Sequence, residues 1–292
     1  MCSLHRSLLA LLLPLLITTP AASAGDEFVL FSQSHMKPRS ARVTPQIYSS
    51  TGRGDGVLPQ IADGGGWQTT ITIVNLRPTA TTAYLGCGND NGGEQAFEWA
   101  GIGTYANLQG PLAGYGSLEV VTRATSAATV TGYCLVTATD APGNDVAAFA
   151  IYAYSPTGQQ VSVPASPVGL TNSLNSLILA FDNTNGYNYG VALVDTNTSV
   201  AGNPGDTVNW SVQNAEGIVV AAGSFGMPPA GHAAFILADA FPATANLRGT
   251  ITFTMVDTIP GPNGSGTLAG LGLRASPRGA LTSVDLFEPM TY

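Results

Sequence analysis

Lysine is all but missing from this chain. Among 292 residues only Lys37 is one, and charged residues make up 10% of the total, against roughly 25% in an average soluble domain. The surface must therefore be built from Thr, Ser, Asn, Gln and Gly. With 10 basic and 18 acidic side chains the formal charge is −8. Such a surface repels phosphates, which argues against nucleic acid as a partner and disfavours anionic lipid. Long apolar runs are scarce as well: beyond the N-terminus nothing approaches the roughly 20 apolar residues of a membrane helix, so no membrane span is expected. Histidine is nearly absent too, and past His35 only His232 is left. A Ser-His-Asp arrangement would have to use it. Neither Gly114-Tyr-Gly-Ser-Leu118 nor Gly264-Ser-Gly266 has the GxSxG form of a nucleophile elbow. Glu98 with Glu119 could form a glycosidase carboxylate pair, but nothing in the sequence brings them together. The expectation is that this is not an enzyme.

Cysteine is the last scarce residue. Met1 to Ala24 reads as a secretory signal peptide, with basic His5 and Arg6, an apolar run from Leu8 to Ile17, and Ala22-Ser23-Ala24 before the cut. Cleavage near Ala24 removes Cys2 and places the mature chain outside the cytoplasm, as a secreted, periplasmic or cell-surface protein. Cys87 and Cys134 remain, and in an oxidising compartment such a pair is expected to be bridged. Without CxxC spacing or a neighbouring histidine, a redox or metal pair is the weaker reading.

What the chain has in quantity is a repeat. Trp67-Gln-Thr-Thr-Ile-Thr-Ile-Val-Asn75 returns as Tyr187-Asn-Tyr-Gly-Val-Ala-Leu-Val-Asp195. Four further blocks follow in the same order. Asn89-Asp-Asn-Gly92 answers to Asn214-Ala-Glu-Gly217, and Pro111-Leu-Ala-Gly-Tyr115 to Pro228-Pro-Ala-Gly-His232. Thr131 to Leu135 answers to Arg248 to Thr252, and Ala153 to Gly158 to Arg274 to Gly279. A period of about 120 residues is domain-sized. The blocks alternate apolar and polar residues and are separated by Gly, Pro and Asn turns, the pattern of short strands. The fold class expected is all-β, two tandem immunoglobulin-like or jelly-roll-type β-sandwich domains related by internal duplication. The boundaries are a leader over 25–55, one domain over 56–167, a linker over 168–173 and a second domain over 174–292. Cys87 aligns with Val212 and Cys134 with Ile251, as expected of core positions.

Three features carry functional leads. Phe28-Val29-Leu30-Phe31 in the leader has strand character and suits addition to a sheet edge, in this molecule or a neighbour, which makes self-association a candidate. Arg53-Gly-Asp55 reads as chance. Asp182-Asn183-Thr-Asn185-Gly186, with Asp63 to Gly66 at the same place in the first repeat, is the calcium candidate; each loop offers one carboxylate, and Asp and Asn more commonly stabilise turns. No other cofactor is expected. Among the aromatic residues, Trp67 and Tyr187 occupy matched positions and read as core anchors. Trp99, Tyr105 and Asn107 lie in an insertion present only in the first repeat, and are the candidate ligand-binding residues for a polysaccharide or other surface component.

Ile61-Ala-Asp-Gly-Gly-Gly-Trp67, Phe181-Asp-Asn, Ala230-Gly-His-Ala-Ala-Phe235 and Leu247-Arg-Gly249 together resemble a group of exported bacterial tandem β-sandwich proteins. The resemblance covers nearly the whole mature chain. It implies export and a two-domain β architecture, and it carries over no catalytic or binding residue. The expected function is an exported, non-enzymatic binding or surface-structural protein. The alternatives are a self-assembling extracellular subunit that uses the N-terminal strand, and a secreted hydrolase.

Overall fold

Alternation sets the strands. In Trp67–Asn75 every second side chain from Thr69 onward is buried, and in Val130–Ala138 the buried set includes Cys134, Val136 and Ala138. The computed structural model describes residues 44–45, 56–138, 146–167, 175–196, 205–256 and 267–289. The signal peptide, Phe28–Phe31, Arg53–Asp55 and the linker over 168–173 lie outside the described residues. In chain order the first half contains β1 (Thr44–Pro45), β2 (Gly56–Asp63), β3 (Trp67–Asn75), β4 (Thr81–Gly88), β5 (Phe97–Trp99) and β6 (Gly103–Tyr105). It continues with β7 (Asn107–Leu112), β8 (Ser117–Val121), β9 (Val130–Ala138), β10 (Val146–Tyr154), β11 (Gln159–Pro164) and β12 (Ser166–Pro167). The second half contains β13 (Ser176–Asp182), β14 (Asn188–Asp195), β15 (Asp206–Asn214) and β16 (Val219–Met227). After these come β17 (His232–Ile236), the one-turn helix α1 (Leu237–Ala240), β18 (Arg248–Val256), β19 (Leu268–Ala275) and β20 (Leu281–Val284).

The protein is all-β, built from open antiparallel sheets. In the first half β7-β4-β9-β2 form one sheet, extended at its two edges by β1 and β12, and β11-β10-β3-β8 form another. The second half has β16-β15-β18-β13 and β20-β19-β14-β17. Taken in chain order, the strand arrangement of the two halves is the same. Each pair of sheets closes over its own core. In the first, Leu58, Ile71, Leu85, Cys134, Val136 and Tyr152 come from both sheets; in the second, Leu179, Leu193, Val212, Ile251 and Phe253 do.

Cys87 and Cys134 are bonded and buried, facing each other on neighbouring strands β4 and β9 with Cα atoms 4.0 Å apart. The bridge therefore staples one sheet, and Val212 and Ile251 pair at the matching place between β15 and β18. The turns repeat as well. Asn89 Oδ1 accepts the N–H groups of Asn91 and Gly93, and Asn214 Oδ1 those of Glu216 and Ile218. One alignment needs correction. Tyr115 (φ 54°) and Ala230 (φ 52°) hold the same left-handed turn position, and Ser117 and His232 pair with Val74 and Val194. The partner of His232 is thus Ser117 rather than Tyr115, because the turn fixes where the positive φ must fall, whatever the local sequence similarity.

The insertion that carries Trp99, Tyr105 and Asn107 contains the β5–β6 hairpin. It plugs one end of the first core: Phe97 and Trp99 are 1% exposed, and Ala100 N–H donates to the Val121 carbonyl. The second half has a tight Asn214–Gly217 turn at that position. There, a ring cluster of Trp210, Phe235, Phe241 and Phe253, with centroids 4.8 to 6.0 Å apart, fills the core.

Candidate functional site

The two halves touch through a buried apolar patch of Val57, Tyr133, Val194 and Ala269. Beside that patch their surfaces part and leave a cavity of about 480 Å³. Its position follows from the local sequence of β2 and of the turn after it. Pro59 cannot donate to a ladder, and β2 bulges between Leu58 and Ile61, so Gln60 is re-aimed toward the second half. The Tyr152 hydroxyl donates to the Gln60 carbonyl, while the Gln60 side-chain oxygen meets His232 Nε2 at 3.0 Å. Burial pushes the Tyr152 hydroxyl far above the usual phenol range, so it stays a donor.

Gly64-Gly65-Gly66, all at positive φ, follow β2. A Cβ at Gly64 (φ 80°) would lie 2.5 Å from the Ala128 carbonyl, so that position favours glycine and lets the loop over 124–129 seat against the turn. The Asp63 carboxylate accepts the Ala124 N–H at 2.7 Å from the other side. Together they place Ala127 to Thr129 as one wall. Trp67, the first residue of β3, stacks on Tyr154 with centroids 4.6 Å apart and forms the next wall. The second half supplies Ala192, Ala234, Phe235, Leu273 and Leu281 from β14, β17, β19 and β20. Trp67 is half-buried: it packs against the first core, as its matched position suggested, and it also lines the cavity.

The lining is chemically plain. Among the described residues that line the cavity there is no carboxylate, imidazole, amine, guanidinium or thiol; the polar side-chain groups are Gln60, the Trp67 indole N–H, Thr129, Thr131 and the tyrosine hydroxyls. A chamber of this kind can desolvate and hold a small uncharged molecule, with a few hydrogen bonds to orient it. Family models, curated proteins and solved structures all contain no match to this chain.

His232 ties the chamber's walls together. Its side chain is fully buried, and Nδ1 lies 2.7 Å from Asp90 Oδ1 of the first half. The ring faces Tyr133, whose hydroxyl donates to the Ala230 carbonyl at 2.8 Å. Burial, with a smaller contribution from the Asp195 charge, pushes Tyr133 up to about 12. Gly92 packs so closely on the Pro229 carbonyl that a Cβ would lie 2.0 Å from it. The Asn89–Gly93 turn is thereby docked onto the Pro228–His232 turn, so His232 fastens the halves to each other.

The residues singled out in the sequence lie elsewhere. Trp99 is sealed in the first core with Nε1–H donating to the Tyr105 carbonyl, so its ring offers no face to a ligand. Tyr105 is partly exposed, and Asn107 Nδ2 is bonded to Glu94 Oε1 at 3.0 Å. Sequence position grouped these residues because they share an insertion; packing turned the Trp99 ring inward to close a core. In the calcium candidate, Asp182 accepts two bonds from Arg248, at 2.9 and 2.7 Å, and two from Thr184. These Thr184 and Arg248 bonds hold its carboxyl down at about 2. Asn183 is buried on Thr244, and Asn185 bonds Thr184 at φ 57°. The Asp182 carboxylate is thus engaged by Thr184 and Arg248, while the buried Asn183 Oδ1 has no hydrogen-bond partner. Glu98 accepts hydrogen bonds from Thr125 and Arg123, which lower its pKa in that order of importance, and Glu119 stands on the exposed side of β8. The only signals of the cavity in the sequence were Pro59 within a strand and three consecutive glycines before Trp67.

Proposed function

We propose that this is an exported, non-enzymatic binding protein that holds a small, uncharged, largely apolar ligand between two copies of one β-sandwich domain. The cavity carries this reading. Its volume falls in the range of about 300–1,000 Å³ that suits a small ligand, and its aromatic pair and aliphatic side chains outnumber its hydrogen-bonding groups. The absence of ionisable groups other than tyrosine, among the described lining residues, favours holding a molecule over transforming it. The common strand order of the halves, their matched Asn turns and the pairing of Val212 with Ile251 where Cys87 meets Cys134 support an origin by duplication. The disulfide fits an oxidising compartment outside the cytoplasm.

The test uses a neutral apolar fluorophore such as N-phenyl-1-naphthylamine, titrated into the mature protein and into Ala234→Phe, which fills the chamber from the β17 side. The expected result is saturable binding of one dye per chain, weakened at least tenfold in the variant at unchanged melting temperature. Saturable binding of soluble oligosaccharides without dye binding, or equal dye binding by both proteins, would show that the cavity is not the site.

A further inference from the structure

We infer that β16 is an interaction edge through which two copies of this chain join, strand to strand and antiparallel. Unpaired strand edges invite strand addition, and proteins usually cover or charge them. In the two corresponding sheets this protein does so at three places. The β7 edge is covered by β1, with Thr44 opposite Gln109 and Pro45 opposite Leu108. The β2 edge is covered by β12, and the β13 edge is bridged by Phe287, which exchanges both backbone hydrogen bonds with Ile178. Among the described residues nothing pairs with the outer edge of β16. Yet this strand and its approach are the most apolar exposed segment of the second half, with Ile218 61%, Val219 55% and Val220 46% exposed.

The usual defences of an edge are missing too. From Gly217 to Gly231 there is no charged residue, and proline enters only after Met227. The bulge that offsets β16 from β15 is confined to its first residues, and Ala221–Met227 keeps regular register with Asp206–Val212. In a chain of net charge −8, two copies repel across most of their surfaces, and a charge-free strand is where they can approach. Antiparallel pairing of this stretch with itself is isologous and closes as a dimer. It also lays Ile218–Val220 of each copy beside the Met227 end of the other, which removes those side chains from water. The occupant is thus a second copy through its own β16.

Sedimentation velocity and amide hydrogen exchange on the mature chain test this. The expected result is a sedimenting mass that doubles with rising concentration, together with concentration-dependent protection of the 221–227 amides. Val220→Lys and, separately, Ile218→Lys alter exposed side chains only and should remain monomeric with an unchanged melting profile. Phe28→Asp with Leu30→Asp should still dimerise. A wild type that is monomeric at every concentration overturns the proposal. So does an association that persists in both lysine variants, or one lost in Phe28→Asp/Leu30→Asp but kept in Val220→Lys, which would assign it to the leader.

Discussion

Replacing Cys87 by Val and Cys134 by Ile copies into the first half the pair that the second half carries at the matching place, Val212 opposite Ile251. The bridge spans 47 residues, and constraining a loop of that length in the unfolded chain is worth about 4 kcal/mol on the chain-entropy estimate. Both positions are buried, so the extra carbons of Val and Ile recover part of this at about 0.8 kcal/mol per methylene, provided that the sheet admits them. Their Cα atoms are only 4.0 Å apart, at the tight end for facing residues, so crowding will consume some of that gain. The net expectation is a loss of about 2–3 kcal/mol, or roughly 6–9 °C in melting temperature at about 3 °C per kcal/mol for a large cooperative unit. The assay is thermal unfolding followed by circular dichroism, with and without a thiol reductant. Reductant should lower the melting temperature of the wild type and leave the variant unmoved. If the variant melts together with the oxidised wild type, and thiol titration shows that the reduced wild type does too, then loop constraint is not what the bridge contributes.

Two further outcomes follow from the packing and the charges. Trp99→Ala should cost about 3–5 kcal/mol, as deletion of a buried indole does, while dye binding by the folded protein is retained; lost ligand binding at unchanged stability would contradict its place in the core. The Asp182 carboxyl is depressed from its ordinary 3.8 to about 2 in the folded state, so its stabilisation is present above pH 4 and is lost as the pH falls toward 2. Asp182→Asn should therefore lower stability at neutral pH and flatten the acid limb of a stability–pH curve between those values; an acid limb parallel to that of the wild type would refute the assignment.

Much of the β framework was legible from local pattern. Period-two alternation marked β3 and β15, and Asn-Gly and Pro-x-Gly punctuation marked their turns, because strand and turn preferences act over a few residues. The Cys87–Cys134 bridge was legible because a cysteine pair without metal or redox spacing in a chain read as exported is expected to be bridged, and Val212 and Ile251 at the aligned places marked both positions as core. The site was not legible. Trp99 looked like a binding residue and is core; Trp67 looked like core, and it packs against the core while also facing a chamber. Both are tryptophans near strand ends, and sequence separation carries no information about which surface arrives opposite them.

By itself, then, the sequence determined strands, turns and the bridge, since each depends on neighbours along the chain or on a match between similar sequence blocks. Tertiary structure alone decided the rest: the bulge at Pro59 that sends Gln60 to His232, the chamber walled by β3 and β10 on one side and β14, β17 and β19 on the other, and the edge of β16, unpaired among the described residues. These arise where faces distant in sequence meet, and the gaps they leave depend on side-chain shape across the contact, which no local periodicity records.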